Sequence, residues 1–203
     1  YKRFAKACFF LKLHISFNNF KLRHICVFSI LKIMKPKKNL VLLGMMGSGK
    51  STIGRLLAKK LNLRFVDIDN YIEVISKMKI SEIFKKKGEN SFRKLEQKVT
   101  LEFLEKIGYV ISLGGGGFIN EKIRMKVQKN AMGVWLNCNS EILIKRIRKN
   151  NKRPLTTKID DNELKNWIIS RSKIYSKSKY RVDCKNMNKI EIVNKIIKIY
   201  ENN

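Results

Sequence analysis

The chain has 203 residues, enough for one domain with a full core, and sets 45 lysines and arginines against 16 acids for a net charge of +29. Such a charge ordinarily points to nucleic acid, but only 11 of the 45 are arginine and no basic module studded with aromatics is present, so that role is set aside. His14 and His24 both precede the folded domain, which excludes His-based catalysis there, and Cys8, Cys26, Cys138 and Cys184 are too scattered for a zinc motif or a disulfide framework, as suits a reducing cytoplasm.

Residues 1–36 form a basic leader, expected to be disordered or not native. The first 38 residues carry ten basic side chains and no acid. Their uncharged apolar stretch, from His24 to Leu31, is far short of the ~20 residues that cross a bilayer. Met34 lies just ahead of the first strand and is the expected functional start, so a chain beginning there should fold and be active. The domain itself is read as residues 37–203.

Asn39–Leu43 reads as a short buried strand, and Ser51–Leu61 as an amphipathic helix. Between them stands Gly44-Met-Met-Gly47-Ser48-Gly49-Lys50-Ser51, the G-x-x-x-x-G-K-S spacing of a nucleoside triphosphate loop. Its glycines let backbone N–H groups turn toward phosphates, Lys50 reaches the outer oxygens, and the Ser51 hydroxyl can bind Mg²⁺. ATP or GTP is the expected ligand.

The second strand, Arg64–Asp67, runs into Asp67-Ile68-Asp69. Strand alternation is expected to send both acids to one side, with Ile68 in the core. One acid can hold Mg²⁺ and the other can take a proton from an attacking hydroxyl. The competing reading makes them the N-cap and first-turn acid of a helix beginning near Asn70.

Gly88-Glu89-Asn-Ser-Phe92-Arg93-Lys-Leu-Glu96 opens a helix expected over Glu89–Ile107. Phe92, Leu95 and Val99 are read as core. Arg93 either projects into a cleft or forms a surface pair with Glu96 or Gln97. After the third strand, Tyr109–Leu113, come four glycines, Gly114 to Gly117, a costly run that marks either close backbone approach to a ligand or a flexible turn.

Further along, strands are expected at Gly133–Asn137 and Tyr180–Asp183, and helices at Asn120–Lys129, Ser140–Lys149, Asp161–Ser176 and Lys189–Tyr200. The polar Lys149–Lys158 segment, with Arg153-Pro154, reads as a lid. Arg93, Arg146, Arg153 and Arg171 stand out because a planar fork grips carboxylate or phosphate as lysine cannot. Alternating strands and helices give the α/β class: a three-layer fold of P-loop NTPase type, with a five-stranded parallel sheet between helices, and ligands at the strands' carboxyl ends.

These motifs occur in the order and spacing of the shikimate kinases, which the chain resembles over residues 37–203. The matching segments are Gly44 to Ser51, Asp67-x-Asp69, Gly88-Glu-x-x-Phe-Arg93, Gly114-Gly-Gly116, Arg153-Pro154 and Arg171-x-x-x-Tyr175. The resemblance implies a small kinase that moves the γ-phosphoryl of ATP to the 3-hydroxyl of shikimate, on the route to chorismate and aromatic amino acids. It implies that Asp69 contacts the ring hydroxyls and serves as base or orienter, and that Arg93 and Arg171 hold the carboxylate. Gly115 and Gly116 would line the ring, and Ser51, with Asp67 through water, would hold Mg²⁺. Gly47, Ser48, Gly49, Lys50, Ser51, Thr52, Arg146 and Arg153 would bind ATP, with Arg146 stacked on adenine and Lys50 and Arg153 steadying the transferring group. A cytoplasmic monomer, without nucleic-acid or membrane partners, is expected.

The family's usual Arg-x-Pro-Leu-Tyr is departed from at Lys173-Ile174, and Asn186-Met187-Asn188 stand where its adenine loop often has proline. A gluconate kinase of the same architecture is the alternative enzyme. A GTPase-type regulatory module would require Asn-Lys-x-Asp, which the sequence lacks.

Overall fold

The computed structural model describes residues 38–149 and 159–203; the leader and Arg153 lie outside them. The described strands are β1 (Asn39–Leu43), β2 (Arg64–Asp67), β3 (Tyr109–Ser112), β4 (Ala131–Asn137) and β5 (Tyr180–Asp183). They form one parallel sheet in the order β2-β3-β1-β4-β5. Helices lie between them: α1 (Lys50–Leu61), α2 (Ile68–Ser76), α3 (Ile80–Glu105), α4 (Glu121–Asn130), α5 (Ser140–Arg148), α6 (Asp161–Tyr175) and α7 (Lys189–Glu201). Among the described residues, no helix is long and apolar enough to cross a membrane.

The central strand shows why the sheet is covered on both faces. All five residues of β1 are buried. Leu40 and Leu42 pack with Ile53, Leu57 and Leu61 of α1 and with Ile192, Val193 and Ile196 of α7. Val41 and Leu43 turn the other way, toward Ile72 of α2, Val99 and Phe103 of α3 and Leu164 of α6. Period-two alternation therefore feeds two hydrophobic layers from one strand. Asn39 is buried but satisfied: its amide donates to the Phe103 carbonyl at 3.2 Å and its Oδ1 accepts from the Tyr109 N–H at 2.9 Å, joining the end of α3 to β3.

The expected strands are all present, with β4 beginning two residues earlier and β3 ending one residue sooner than read. The first helical half of α3 was not anticipated. Gly88, at φ 76° and ψ 166°, breaks α3, so the expected helix does begin at Glu89 and a separate helical segment from Ile80 precedes it. The two acids after β2 also need correction. The strand ends at Asp67, which caps α2 by accepting from the Asn70 N–H, while Asp69 lies in the first helical turn. Helical geometry, not strand alternation, sets both positions; Ile68 is in the core as expected, fully buried.

Candidate active site

The loop after β1 is shaped by its glycines. Gly44, Gly47 and Gly49 all have positive φ, at 140°, 79° and 91°. A Cβ on Gly44 would lie 2.8 Å from the Leu136 carbonyl oxygen, so a larger residue is refused by space as well as by torsion. Gly49 caps α1 without a side-chain hydrogen bond and no acid stands in the first turn, leaving the helix's positive end open to an anion. Lys50 is 8% exposed, and its Nζ donates to the carbonyls of Gly44 at 2.8 Å and Met45 at 2.9 Å, across the loop. Arg146 of α5 donates to the Gly47 carbonyl at 3.0 Å from the other side.

Ser51, one step into α1, donates its hydroxyl to Asp67 Oδ2 at the end of β2. This pair offers two hard oxygens beside the phosphate loop. Among the described residues no group of three or more His, Cys, Asp or Glu could hold a metal, so any ion here keeps most of its shell as water or phosphate oxygen. Mg²⁺ binds in that manner, and the donor set fits it.

Three cavities meet around this loop. The largest opening is lined by the loop residues Gly47, Gly49, Lys50, Ser51 and Thr52, and by Asp67, Asp69 and Arg146. A second is lined by Asp69, Arg93, Glu96, Gly115, Gly116 and Arg171, with apolar walls from Met46, Ile80, Phe84 and Phe92. Asp69, Met46 and Ile80 belong to both. The third lies on the far side of the loop, between Ser48, Thr52, Arg146, Cys138, Cys184 and Met187.

The second cavity brings together two acids, Asp69 and Glu96, and two guanidinium groups, Arg93 and Arg171. A Cβ on Gly116 would stand 2.5 Å from Nη1 of Arg93, and one on Gly115 would stand 3.7 Å from Nη1 of Arg171. The glycine run is thus the floor against which both arginines lie. It is not a floppy hairpin: the Gly117 N–H donates to the Gly114 carbonyl at 3.0 Å and a short 3₁₀ turn follows. Arg171 is steadied by the ring of Trp167, 5.0 Å from its centroid. Tyr175, 1% exposed, donates its hydroxyl to the Gly115 carbonyl and ties the end of α6 to the glycines.

Arg93 is held by two acids. Its Nη1 donates to Glu96 at 2.7 Å, and its Nη2 to Glu89 at 2.9 Å. Burial alone would lower its pKa; the charge and hydrogen bond of Glu96, followed by those of Glu89, outweigh burial and raise it. The reading of Arg93–Glu96 as a surface pair is corrected here, because Glu96 is only 3% exposed. Its Oε1 and Asp69 Oδ1 each lie 2.5 Å from the same point, where a Gly114 Cβ would be, so those oxygens are separated by at most twice that distance. Phe92 is core, as expected, and lines the cavity too.

Sequence reasoning did not single out Glu96 as a site residue, nor Ile80 and Phe84, nor the third cavity's Cys138 and Cys184; Met187, also in that cavity, lies in the segment read as the adenine loop. The spacing of Glu96 three residues after Arg93 signalled the pair but not its burial. The cysteines gave no signal, since 46 positions separate them.

The shikimate kinase family model matches residues 46–201. A shikimate kinase from Persephonella marina is 41% identical over 161 residues, 79% of this chain and 97% of that one. One from Bartonella quintana is 38% identical over 167 residues, covering 82% and 80% respectively. A solved shikimate kinase from Acinetobacter baumannii, in complex with shikimate, aligns at 28% identity with a TM-score of 0.77, over 83% of this chain and 95% of that one.

Proposed function

The chain belongs to the shikimate kinase family, and from that premise we propose how its own residues divide the work of phosphorylating shikimate with ATP. The observation that carries the reading is Asp69, which lines the phosphate-side cavity and the glycine-floored cavity alike. An acceptor lying in the second cavity meets a γ-phosphate from the first at that carboxylate.

In this reading Arg93 and Arg171 grip the shikimate carboxylate against Gly115 and Gly116, and Met46, Ile80, Phe84 and Phe92 flank the ring. Asp69 orients the 3-hydroxyl and takes its proton. The hydroxyl oxygen then bonds to the γ-phosphorus as the bond from that phosphorus to the β-phosphate oxygen breaks, and ADP leaves. The loop N–H groups of Gly47 to Thr52 hold the phosphates, and Lys50 exchanges the Gly44 and Met45 carbonyls for phosphate oxygens. Ser51 and Asp67 are the residues that would hold Mg²⁺, which when bound neutralises charge on the phosphates. Arg146 and the third cavity take the adenine, and Arg153 is assigned to the transferring group.

Phosphoryl transfer needs positioning and charge neutralisation more than covalent help, which accounts for a site built without histidine. The enzyme is taken as a cytoplasmic monomer. The test is an ADP-release assay with shikimate, gluconate and nucleoside monophosphates, followed by identification of the product. Turnover with shikimate 3-phosphate as product is expected. Turnover with gluconate alone would transfer the reading to the alternative kinase.

A further inference from the structure

Strands β4 and β5 end in register, Asn137 beside Asp183, and the next residue on each is a cysteine. The Cys184 N–H donates to the Asn137 carbonyl at 2.8 Å, extending the ladder one step past the strands. Parallel neighbours run about 4.8 Å apart, inside the roughly 4.4–6.8 Å between Cα atoms that a disulfide spans. Register partners also point their side chains the same way. Cys138 and Cys184 are the free cysteines among the described residues, both are half-buried, and both face the third cavity with Ser48, Arg146 and Met187.

The pair is chemically unequal. A hydrogen bond from Cys184 lowers the Cys138 pKa to about 7, aided by the charges of Arg146 and Lys50 and opposed by burial. The same bond, then burial, pushes Cys184 up. Cys138 is therefore the sulfur that gives up its proton first, and Cys184 the one that keeps it. As a thiol, Cys138 donates to the Ser48 carbonyl at 3.7 Å, inside the phosphate loop itself, and Cys184 donates to the Val182 carbonyl at 3.5 Å.

We propose that Cys138 and Cys184 are a redox-modification site: a hydroperoxide converts them to a disulfide that closes the third cavity to nucleotide. The Cys138 thiolate attacks one peroxide oxygen. An S–O bond forms, the O–O bond breaks, and the leaving oxygen takes a proton to become water or an alcohol. Cys184 then attacks the sulfenic sulfur. The S–S bond forms, the S–O bond breaks, and hydroxide leaves with the Cys184 proton as water. Two thiols lose two electrons and the peroxide gains them.

Closure follows from what the new bond ties down. Cys184 opens a turn in which the Met187 N–H approaches the Cys184 carbonyl at 3.4 Å and Asn186 is left-handed at φ 58°. The disulfide pins this turn to the end of β4, opposite Arg146, so that the wall carrying Met187 no longer moves aside to admit a base. The effect on nucleotide rests on the assignment of this cavity to adenine.

The experiment uses the full chain with Cys8→Ser and Cys26→Ser. Hydrogen peroxide should remove about 2 Da and yield a 138–184 crosslinked peptide. The crosslinked protein should bind ATP on the order of tenfold more weakly, reversibly with a dithiol reductant, and ATP present beforehand should slow the crosslink. In a further Cys184→Ser variant, Cys138 should gain one oxygen and no crosslink should form. A stable Cys138 sulfenic acid with Cys184 intact, or a crosslink that leaves ATP affinity unchanged, overturns the proposal. Reduced protein that fails to bind ATP refutes the adenine assignment instead, and the crosslinked peptide then decides the dithiol by itself.

Discussion

Glu96, almost sealed from solvent, holds Nη1 of Arg93 at 2.7 Å, while the same guanidinium lies against Gly116. The arginine is thus fixed in direction before any acceptor arrives, and its remaining face is turned to the cavity. Preorganisation of this kind removes the ordering cost from binding.

Replacing the fork while keeping the charge tests that geometry. Arg93→Lys is expected to weaken shikimate binding by about 1–3 kcal/mol, read as a raised KM with a smaller change in kcat. Calorimetric titration with shikimate checks it; unchanged affinity removes Arg93 from the acceptor site.

Gly116→Ala approaches the same contact from the floor. The backbone there is right-handed, at φ −101°, so alanine is not strained, but its methyl would stand 2.5 Å from Nη1 of Arg93. The guanidinium must shift and the fold need not. A KM for shikimate raised on the order of tenfold, with a melting temperature near that of the parent, is expected. A large loss of melting temperature with unchanged KM would contradict it.

Asp69→Asn keeps the shape of the carboxylate and removes its capacity to take a proton. Turnover should fall by roughly 10²–10⁴-fold, with the KM for ATP little altered, because the phosphate loop is untouched. Steady-state kinetics decide; a kcat within a few-fold of the parent would leave Asp69 as a spectator.

Tyr175→Phe removes one buried hydroxyl and leaves the Gly115 carbonyl without that donor. Stability should fall by about 1–3 kcal/mol in urea denaturation, the cost of a buried acceptor left unmade. Shikimate affinity should fall with it, since the same carbonyl anchors the glycine floor.

The alkylation rate of Cys138 should rise with pH and reach half its plateau near pH 7, because its lowered pKa makes the thiolate available below the usual thiol range of about 8.5. Replacing Cys184 with alanine removes the largest cause of that shift and should carry the midpoint upward. Iodoacetamide trapping with peptide mass analysis reads both.

Much of this arrangement was legible because the chemistry sits in local words. The phosphate loop is contiguous, every expected strand formed, and β5 formed over the residues anticipated, since short apolar runs between turn signals leave few alternatives. Asp67 and Asp69 reached the expected cavity by a different route, because a strand and a helix sharing one residue cannot be told from a longer strand by alternation alone. Glu96 was misjudged because a helical i,i+3 pair looks the same in sequence whether its acid faces water or packs beneath a glycine. The cysteine pair was invisible for the reason that hides most long-range contacts: only the β4–β5 register brings Cys138 to Cys184.

Gly88 divides α3 without anything crowding it, for a Cβ there would meet nothing within 4 Å. What the position requires is torsion, and any L side chain would strain it at φ 76°. The segment before it bears Ile80 and Phe84, and the segment after it bears Phe92, Arg93 and Glu96. Contour and polarity of the cavity therefore reside on two helical rods meeting at one glycine, so its apolar wall at Ile80 and Phe84 can be recut without disturbing Arg93 and Glu96.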